Sequence, residues 1–159
     1  MSRLHNGQRF PSLSVPAVGG GIISLPGDLA GSYGIVLVYR GSWCPYCNAQ
    51  LASFSRASER LAELGAKVVA LSVDDEAAAA ELVAKHKLAF PVGHSADARQ
   101  VAAATGAYLN DNPRYLQSTG FLLAPDGTVL TAVYSSAAIG RLTADDVAGF
   151  IRYMREHAA

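Results

Sequence analysis

The sequence predicts an α/β fold: a mixed central β-sheet with helices on both faces, preceded by an N-terminal β-hairpin. Continuous apolar runs bounded by glycine or charge, "GIVLVYR" (Gly34–Arg40) and "KVVALSV" (Lys67–Val73), read as central strands covered on both faces. Apolar residues then recur at helical spacing after each run. Late in the chain two strand-like stretches flank Pro-Asp-Gly, which adds an antiparallel pair to the parallel ones.

The elements follow in order. "FPSLSV" and "GGGIISL" flank a glycine cluster and predict a hairpin. From Pro45 the period becomes helical, with Cys47, Leu51, Phe54, Leu61 and Leu64 on one stripe and Gly65 as C-cap. After the strand Lys67–Val73, Asp74 and Asp75 suit an N-cap for the alanine-rich helix Glu76–Lys87. "LAFPVGHS" predicts a short third strand, and Asp97 caps a further helix that stops at Gly106. "YLNDNPRYLQS" reads as irregular, with Asn-Asp-Asn-Pro as turn chemistry. "TGFLLA-PDG-TVLTAVY" predicts a second hairpin. A last helix starts at Thr143, where Asp146 approximates a capping box, with Val147, Phe150, Ile151 and Met154 as its stripe. With no internal repeat and no linker, residues 1–159 form one predicted domain.

Composition narrows the function classes. Thirteen Lys and Arg balance thirteen Asp and Glu, and no basic cluster provides a footprint for nucleic acid or an anionic membrane. "MSRLHNGQRF" lacks the pattern of a secretory signal. No apolar run approaches the roughly 18–20 residues of a membrane helix. Two cysteines make no disulfide framework, so a reducing cytoplasm is the expected location.

Both cysteines lie in "YRGSWCPYCNAQL". Cys44-Pro45-Tyr46-Cys47 sits where a buried strand hands over to a helix N-terminus, whose free N–H groups and dipole favour a thiolate. Pro45 is tolerated in a first helical turn, Trp43 and Tyr46 supply an apolar rim, and Arg40 brings a cation. On the helical stripe Cys47 faces inward with Leu51 and Phe54, whereas Cys44 at the cap is expected to face solvent. Cys44 is then the attacking sulfur and Cys47 the resolver. A zinc site would need two more ligands, and His5, His86, His94 and His157 show no ligand spacing. A structural disulfide across so short a loop would constrain little of the unfolded chain. A redox pair that needs no metal or organic cofactor is the expectation.

A hydrophobic strand followed by "WCPYC" and an amphipathic helix resembles the thioredoxin superfamily, and the Pro-Tyr pair is similar to glutaredoxins. The longer layout resembles the AhpC/TSA, or peroxiredoxin-like, branch: "NGQRFPSLSVPAVGGGIISL" its N-terminal hairpin, "VVALSVDD" and "FPVGHSAD" its next strands, "STGFLLAPDGTVL" its late hairpin. The resemblance implies a thioredoxin-like domain and a thiol peroxidase for hydrogen peroxide or small organic hydroperoxides, cycling through a Cys44–Cys47 disulfide. An external reductant, a thioredoxin-like protein or a low-molecular-weight thiol, would reset it. A thiol–disulfide oxidoreductase with little peroxidase activity is the alternative, and a non-catalytic redox sensor a third. The family's Pro-x-x-x-Thr/Ser-x-x-Cys, laid on this chain, puts Cys47 at the peroxidatic position, Cys44 where Thr or Ser stands and Arg40 where Pro stands. A thioredoxin-style alignment instead makes Cys44 the nucleophile. Near Ser118, where peroxiredoxins carry an arginine and thioredoxins a cis-proline, this chain has neither, and Arg114 lies four residues earlier.

Arg40, Arg114 and Arg141 are candidates to steady a thiolate, each against the default of a solvated surface arginine; Arg40 is best placed, at the strand end beside the pair. Tyr115, Gln117, Ser118 and Thr119 are candidates to line the site from the loop before the late hairpin. His94 is a candidate proton shuttle or an ordinary turn histidine, and Gly19–Gly21, with no following helix or lysine, is a turn. A homodimer through sheet edges or helix faces is allowed, though nothing marks an interface.

Overall fold

The glycine cluster turns the chain as expected: β1 (Leu13–Pro16) pairs antiparallel with β2 (Ile22–Leu25). Gly19, Gly20 and Gly21 all hold positive φ, which a side chain would strain. Alternation points Leu13, Val15, Ile23 and Leu25 inward, and all are buried. The computed structural model describes residues 2–157, so the outermost residues of the predicted 1–159 domain lie outside it.

The first apolar run becomes β3 (Tyr33–Val38), and the stripe after it becomes two helices, α1 (Pro45–Arg56) and α2 (Ser58–Glu63). The single helix expected up to Gly65 is thus corrected. It breaks at Ala57, two residues after Ser55, whose hydroxyl donates to Lys87 O at 3.0 Å and accepts from Ala89 N–H at 2.9 Å. Such a long-range tie leaves no trace in periodicity. β4 (Ala66–Leu71), α3 (Glu76–His86), β5 (Val92–Gly93) and α4 (Ala98–Thr105) follow as anticipated.

Of the two aspartates expected to cap α3, only Asp75 does, accepting from Ala78 N–H at 2.8 Å. Asp74 instead accepts from Ser42 N–H at 2.8 Å. The stretch expected to be irregular forms a small hairpin, β6 (Leu109–Asp111) with β7 (Arg114–Leu116), because the Asn-Pro turn reverses the chain and Asn110 closes it onto Pro113 O at 2.6 Å.

β8 (Thr119–Leu123) and β9 (Val129–Tyr134) form the late hairpin, where Asp126 accepts from the Thr128 N–H and hydroxyl. α5 (Ala144–Glu156) is capped by Thr143 onto Asp146 N–H at 3.1 Å. On its stripe Val147 and Ile151 are buried, while Phe150 stays 37% exposed.

The central sheet has the order β5-β4-β3-β8-β9, parallel from β3 to β5 and antiparallel from β3 to β9. Alternation on β3 divides the core. Ile35, Leu37 and Tyr39 face α1, α3 and α5, whereas Val36 and Val38 face the β1–β2 hairpin and α4. Among the described residues no helix is long and apolar enough to cross a membrane.

Candidate active site

β3 ends by directing Tyr39 into the core and Arg40 toward the start of α1. The turn between them is tightly built: an added Cβ on Gly41 would lie 2.1 Å from Trp43 Nε1, so only glycine lets the indole fold back there. Asp74 holds Ser42 N–H, and Asn48 Nδ2 donates to Ser42 O at 3.0 Å. Burial, ahead of its other influences, pushes the Asp74 carboxyl up.

Cys44 is the N-cap of α1, and its sulfur accepts from Cys47 N–H at 3.2 Å, with Pro45 tolerated in the first turn. Both cysteines are reduced and fully buried, each 0% exposed. The expectation that Cys44 faces solvent is therefore corrected. Two guanidinium groups close over it, Arg40 Nη1 and Arg141 Nη2, each 3.7 Å from the sulfur. Cys47 Sγ accepts from Arg40 backbone N–H at 3.4 Å and from Arg141 Nη2 at 3.1 Å.

These contacts separate the two thiols. Burial raises the Cys44 thiol, but hydrogen bonds from the Cys47 thiol and N–H and from Arg40, with the charge of Arg141, bring it below the ordinary cysteine value. Burial pushes the Cys47 thiol up, and its bond to Cys44 adds to that, against Arg40 N–H and Arg141. Tyr39, buried beneath the pair, is pushed up by burial to about 12 and stays a neutral phenol.

Arg40 is oriented by Gln117 Oε1 at 3.0 Å from Nε and the Tyr115 hydroxyl at 3.0 Å from Nη2. Its guanidinium lies 4.9 Å from the Trp43 ring centre and 5.2 Å from that of Tyr115, and the two rings meet edge-on at 5.0 Å. Trp43 and Tyr46 are each 55% exposed, so they rim the buried sulfurs. Arg141 is fixed by Ala138 O at 2.8 Å and Gln50 Oε1 at 2.7 Å, while Gln50 Nε2 returns to Leu142 O at 2.9 Å.

The other candidates separate. Arg114 is exposed on β7 and has no hydrogen bond to either sulfur. Ser118 and Thr119 are buried behind Gln117, Ser118 O taking Ser135 N–H and the Thr119 hydroxyl donating to Gln117 O. His94 is engaged by Ser95 and, at 3.5 Å, by Glu76, and makes no hydrogen bond to either cysteine. The default of a solvated surface residue fails for Arg141, and Gln50 went unmarked. Arg141 is 94 positions from Cys47 in a loop without periodicity, so only its residue type could have drawn notice. Among the described residues no group of three or more His, Cys, Asp or Glu could hold a metal.

The site thus brings together a thiol held below its ordinary pKa, a second thiol beside it and two guanidinium groups, the parts a dithiol/disulfide pair would use. Residues 6–132 match the AhpC/TSA family, well over half of the chain. The chain belongs to the AhpC/TSA family. Both cysteines, Arg40 and Gln117 fall inside the matched stretch, and Arg141 falls after it. A peroxiredoxin of Chlorobaculum tepidum is 31% identical over 68 residues, 43% of this chain and 32% of that protein, so the alignment spans about a third of the relative. The thiol-disulfide oxidoreductase ResA of Bacillus cereus is 25% identical over 94% of this chain and 79% of its own length. The crystal structure of peroxidoxin BcpB from Mycobacterium tuberculosis superimposes with a TM-score of 0.84, covering 96% of this chain and 99% of that one at 21% identity. That likeness shows the fold: the AhpC/TSA domain here is α/β and thioredoxin-like, with the mixed five-stranded sheet described above.

Proposed function

We propose that this AhpC/TSA chain is a thiol peroxidase that reduces hydrogen peroxide or small organic hydroperoxides through Cys44 and Cys47, its residues 1–159 working as one domain in the cytoplasm. The observation that carries the reading is the Cys44 sulfur: it caps a helix, accepts from Cys47 N–H, is flanked by two guanidinium groups and has its pKa held below the ordinary cysteine value.

The Cys44 thiolate attacks one peroxide oxygen, the O–O bond breaks, and water or an alcohol leaves with a proton. Cys44 becomes a sulfenic acid. Cys47 then attacks that sulfur, water departs, and a disulfide forms. An external dithiol, or two equivalents of a low-molecular-weight thiol, supplies the electrons that restore the pair. Arg40 would stabilise the attacking thiolate, with Gln117 and Tyr115 orienting it and Trp43, Pro45 and Tyr46 forming the rim. Ser118 and Thr119 would support Gln117 from behind, and a homodimer would leave this chemistry within each chain.

Trp43, the only tryptophan, adjoins Cys44 and reports the pair. Reduced protein mixed with hydrogen peroxide in a stopped-flow instrument should give a fast, peroxide-dependent change that Cys44→Ser abolishes. If Cys47→Ser alone abolishes it, the attacking sulfur is Cys47, as the peroxiredoxin alignment has it. A rate no better than a free thiol's moves the function to thiol–disulfide exchange, the reading favoured by the intact Cys-x-x-Cys and the likeness to ResA.

A further inference from the structure

The two arginine side chains are placed differently: both reach Cys44, and only Arg141 reaches Cys47. Arg40 Nη1 lies 3.7 Å from Cys44 Sγ and its side chain makes no hydrogen bond to Cys47. Arg141 Nη2 lies 3.1 Å from Cys47 Sγ, closer than the 3.7 Å to Cys44. The two come from different places, the end of β3 and the loop between β9 and α5. Each is oriented by uncharged partners: Gln117 and Tyr115 for Arg40, Ala138 O and Gln50 for Arg141. Among the described residues neither pairs with a carboxylate, so the charge of both is directed at sulfur.

A dithiol cycle places negative charge on the two sulfurs at different moments. In oxidation the charge is on Cys44 as it attacks. In reduction an external thiolate attacks Cys44 of the disulfide, the S–S bond breaks, and its electron pair leaves on Cys47. A second thiolate then attacks the mixed disulfide, releasing the reductant's own disulfide and the Cys44 thiolate. Two thiols are oxidised and one protein disulfide reduced, and the protons of the thiols pass to solvent and Cys47. The rate of exchange rises with the stability of the leaving thiolate. A bare Cys47 thiolate in this apolar surrounding would be a poor leaving group, since Cys47 packs among Leu51, Phe54 and Ile151.

We propose that the arginines divide the cycle, Arg40 serving oxidation at Cys44 and Arg141 receiving the Cys47 thiolate that leaves when the disulfide is reduced. The oxidative half of this assignment rests on the thiol peroxidase reading; the reductive half holds for either function, because both reset the same disulfide.

The test separates the halves. Protein oxidised with diamide is mixed with dithiothreitol and the Trp43 signal gives the reductive rate; reduced protein mixed with hydrogen peroxide gives the oxidative rate. Starting from diamide lets the reductive arm run even if peroxide proves a poor oxidant, an outcome that would sink the peroxidase reading and leave the role of Arg141 standing. Hydrogen bonds to charged groups set the scale: Arg141→Met should slow reduction roughly ten- to a hundredfold, and more than it slows oxidation. Arg40→Met should show the reverse order. Arg141→Lys should recover part of the reductive rate, since the charge remains. Gln50→Leu cuts the tie to the loop and leaves the guanidinium, so it should slow reduction less than Arg141→Met. In a Cys44→Ser background, Arg141→Met should raise the Cys47 thiol pKa seen by thiolate absorbance. Equal slowing of both halves by Arg141→Met, or full mimicry by Gln50→Leu, would overturn the assignment.

Discussion

At the two sulfurs the contrast is between a thiol that caps a helix and one that lies inside it. Burial raises both, but Cys44 ends below the ordinary cysteine value because the Cys47 thiol and N–H, Arg40 and Arg141 all favour its thiolate. A lowered pKa keeps the thiolate present as pH falls. Alkylation of reduced protein by iodoacetamide should thus have its midpoint below the roughly 8.5 of a free cysteine, and Cys44→Ser should remove that low-pH component. A single titration at or above the free-thiol value would contradict it. Arg40→Met should raise the same midpoint and lower the oxidation rate near neutral pH by about tenfold, read at Trp43. The sequence is informative here because Arg40, Cys44 and Cys47 share one strand-to-helix junction, where local chemistry fixes neighbours. It misleads on the exposure of Cys44, because one of the groups covering that sulfur, Arg141, is 97 positions away.

At the scale of elements, two adjacent aspartates that look interchangeable do different jobs. Asp75 caps α3, so Asp75→Ala should cost about 1 kcal/mol in urea unfolding and leave Trp43 emission and Cys44 reactivity unmoved. Asp74 holds Ser42 N–H across to the turn that carries Trp43, so Asp74→Ala should shift that emission and change Cys44 alkylation. If the two variants behave alike, the turn is not held from the segment between β4 and α3. Strands, caps and hairpin glycines were readable because apolar runs, Asp97 and Thr143 at helix starts, and Gly19–Gly21 act on nearby backbone. What escaped comes from contacts distant in sequence or from ambiguous turn chemistry. The α1–α2 break sits beside Ser55 and its ties to the segment after α3, and the Asn-Pro stretch gave no strand pattern until β6 and β7 paired.

Across the whole molecule, the sheet supports the dithiol from a direction no motif reveals. β8 lies between β3 and β9, and its Gly120 leaves room for Leu142: an added Cβ would stand 2.7 Å from Leu142 Cδ1 and 2.9 Å from its Cγ. Leu142 O is held by Gln50, and its neighbour Arg141 donates to both sulfurs. Gly120→Ala therefore displaces the Leu142 side chain, and the predicted consequence is a shift of the adjoining Arg141. Overpacking of this kind should cost roughly 1–3 kcal/mol in denaturant unfolding. It should also slow reduction of the disulfide by dithiothreitol, although no cysteine or arginine has changed. Adding Leu142→Ala removes the clash, so the double variant should reduce faster than Gly120→Ala alone even though the core has lost a leucine. A stability loss without any change in the reductive rate would mean that the loop carrying Arg141 is seated independently of the sheet.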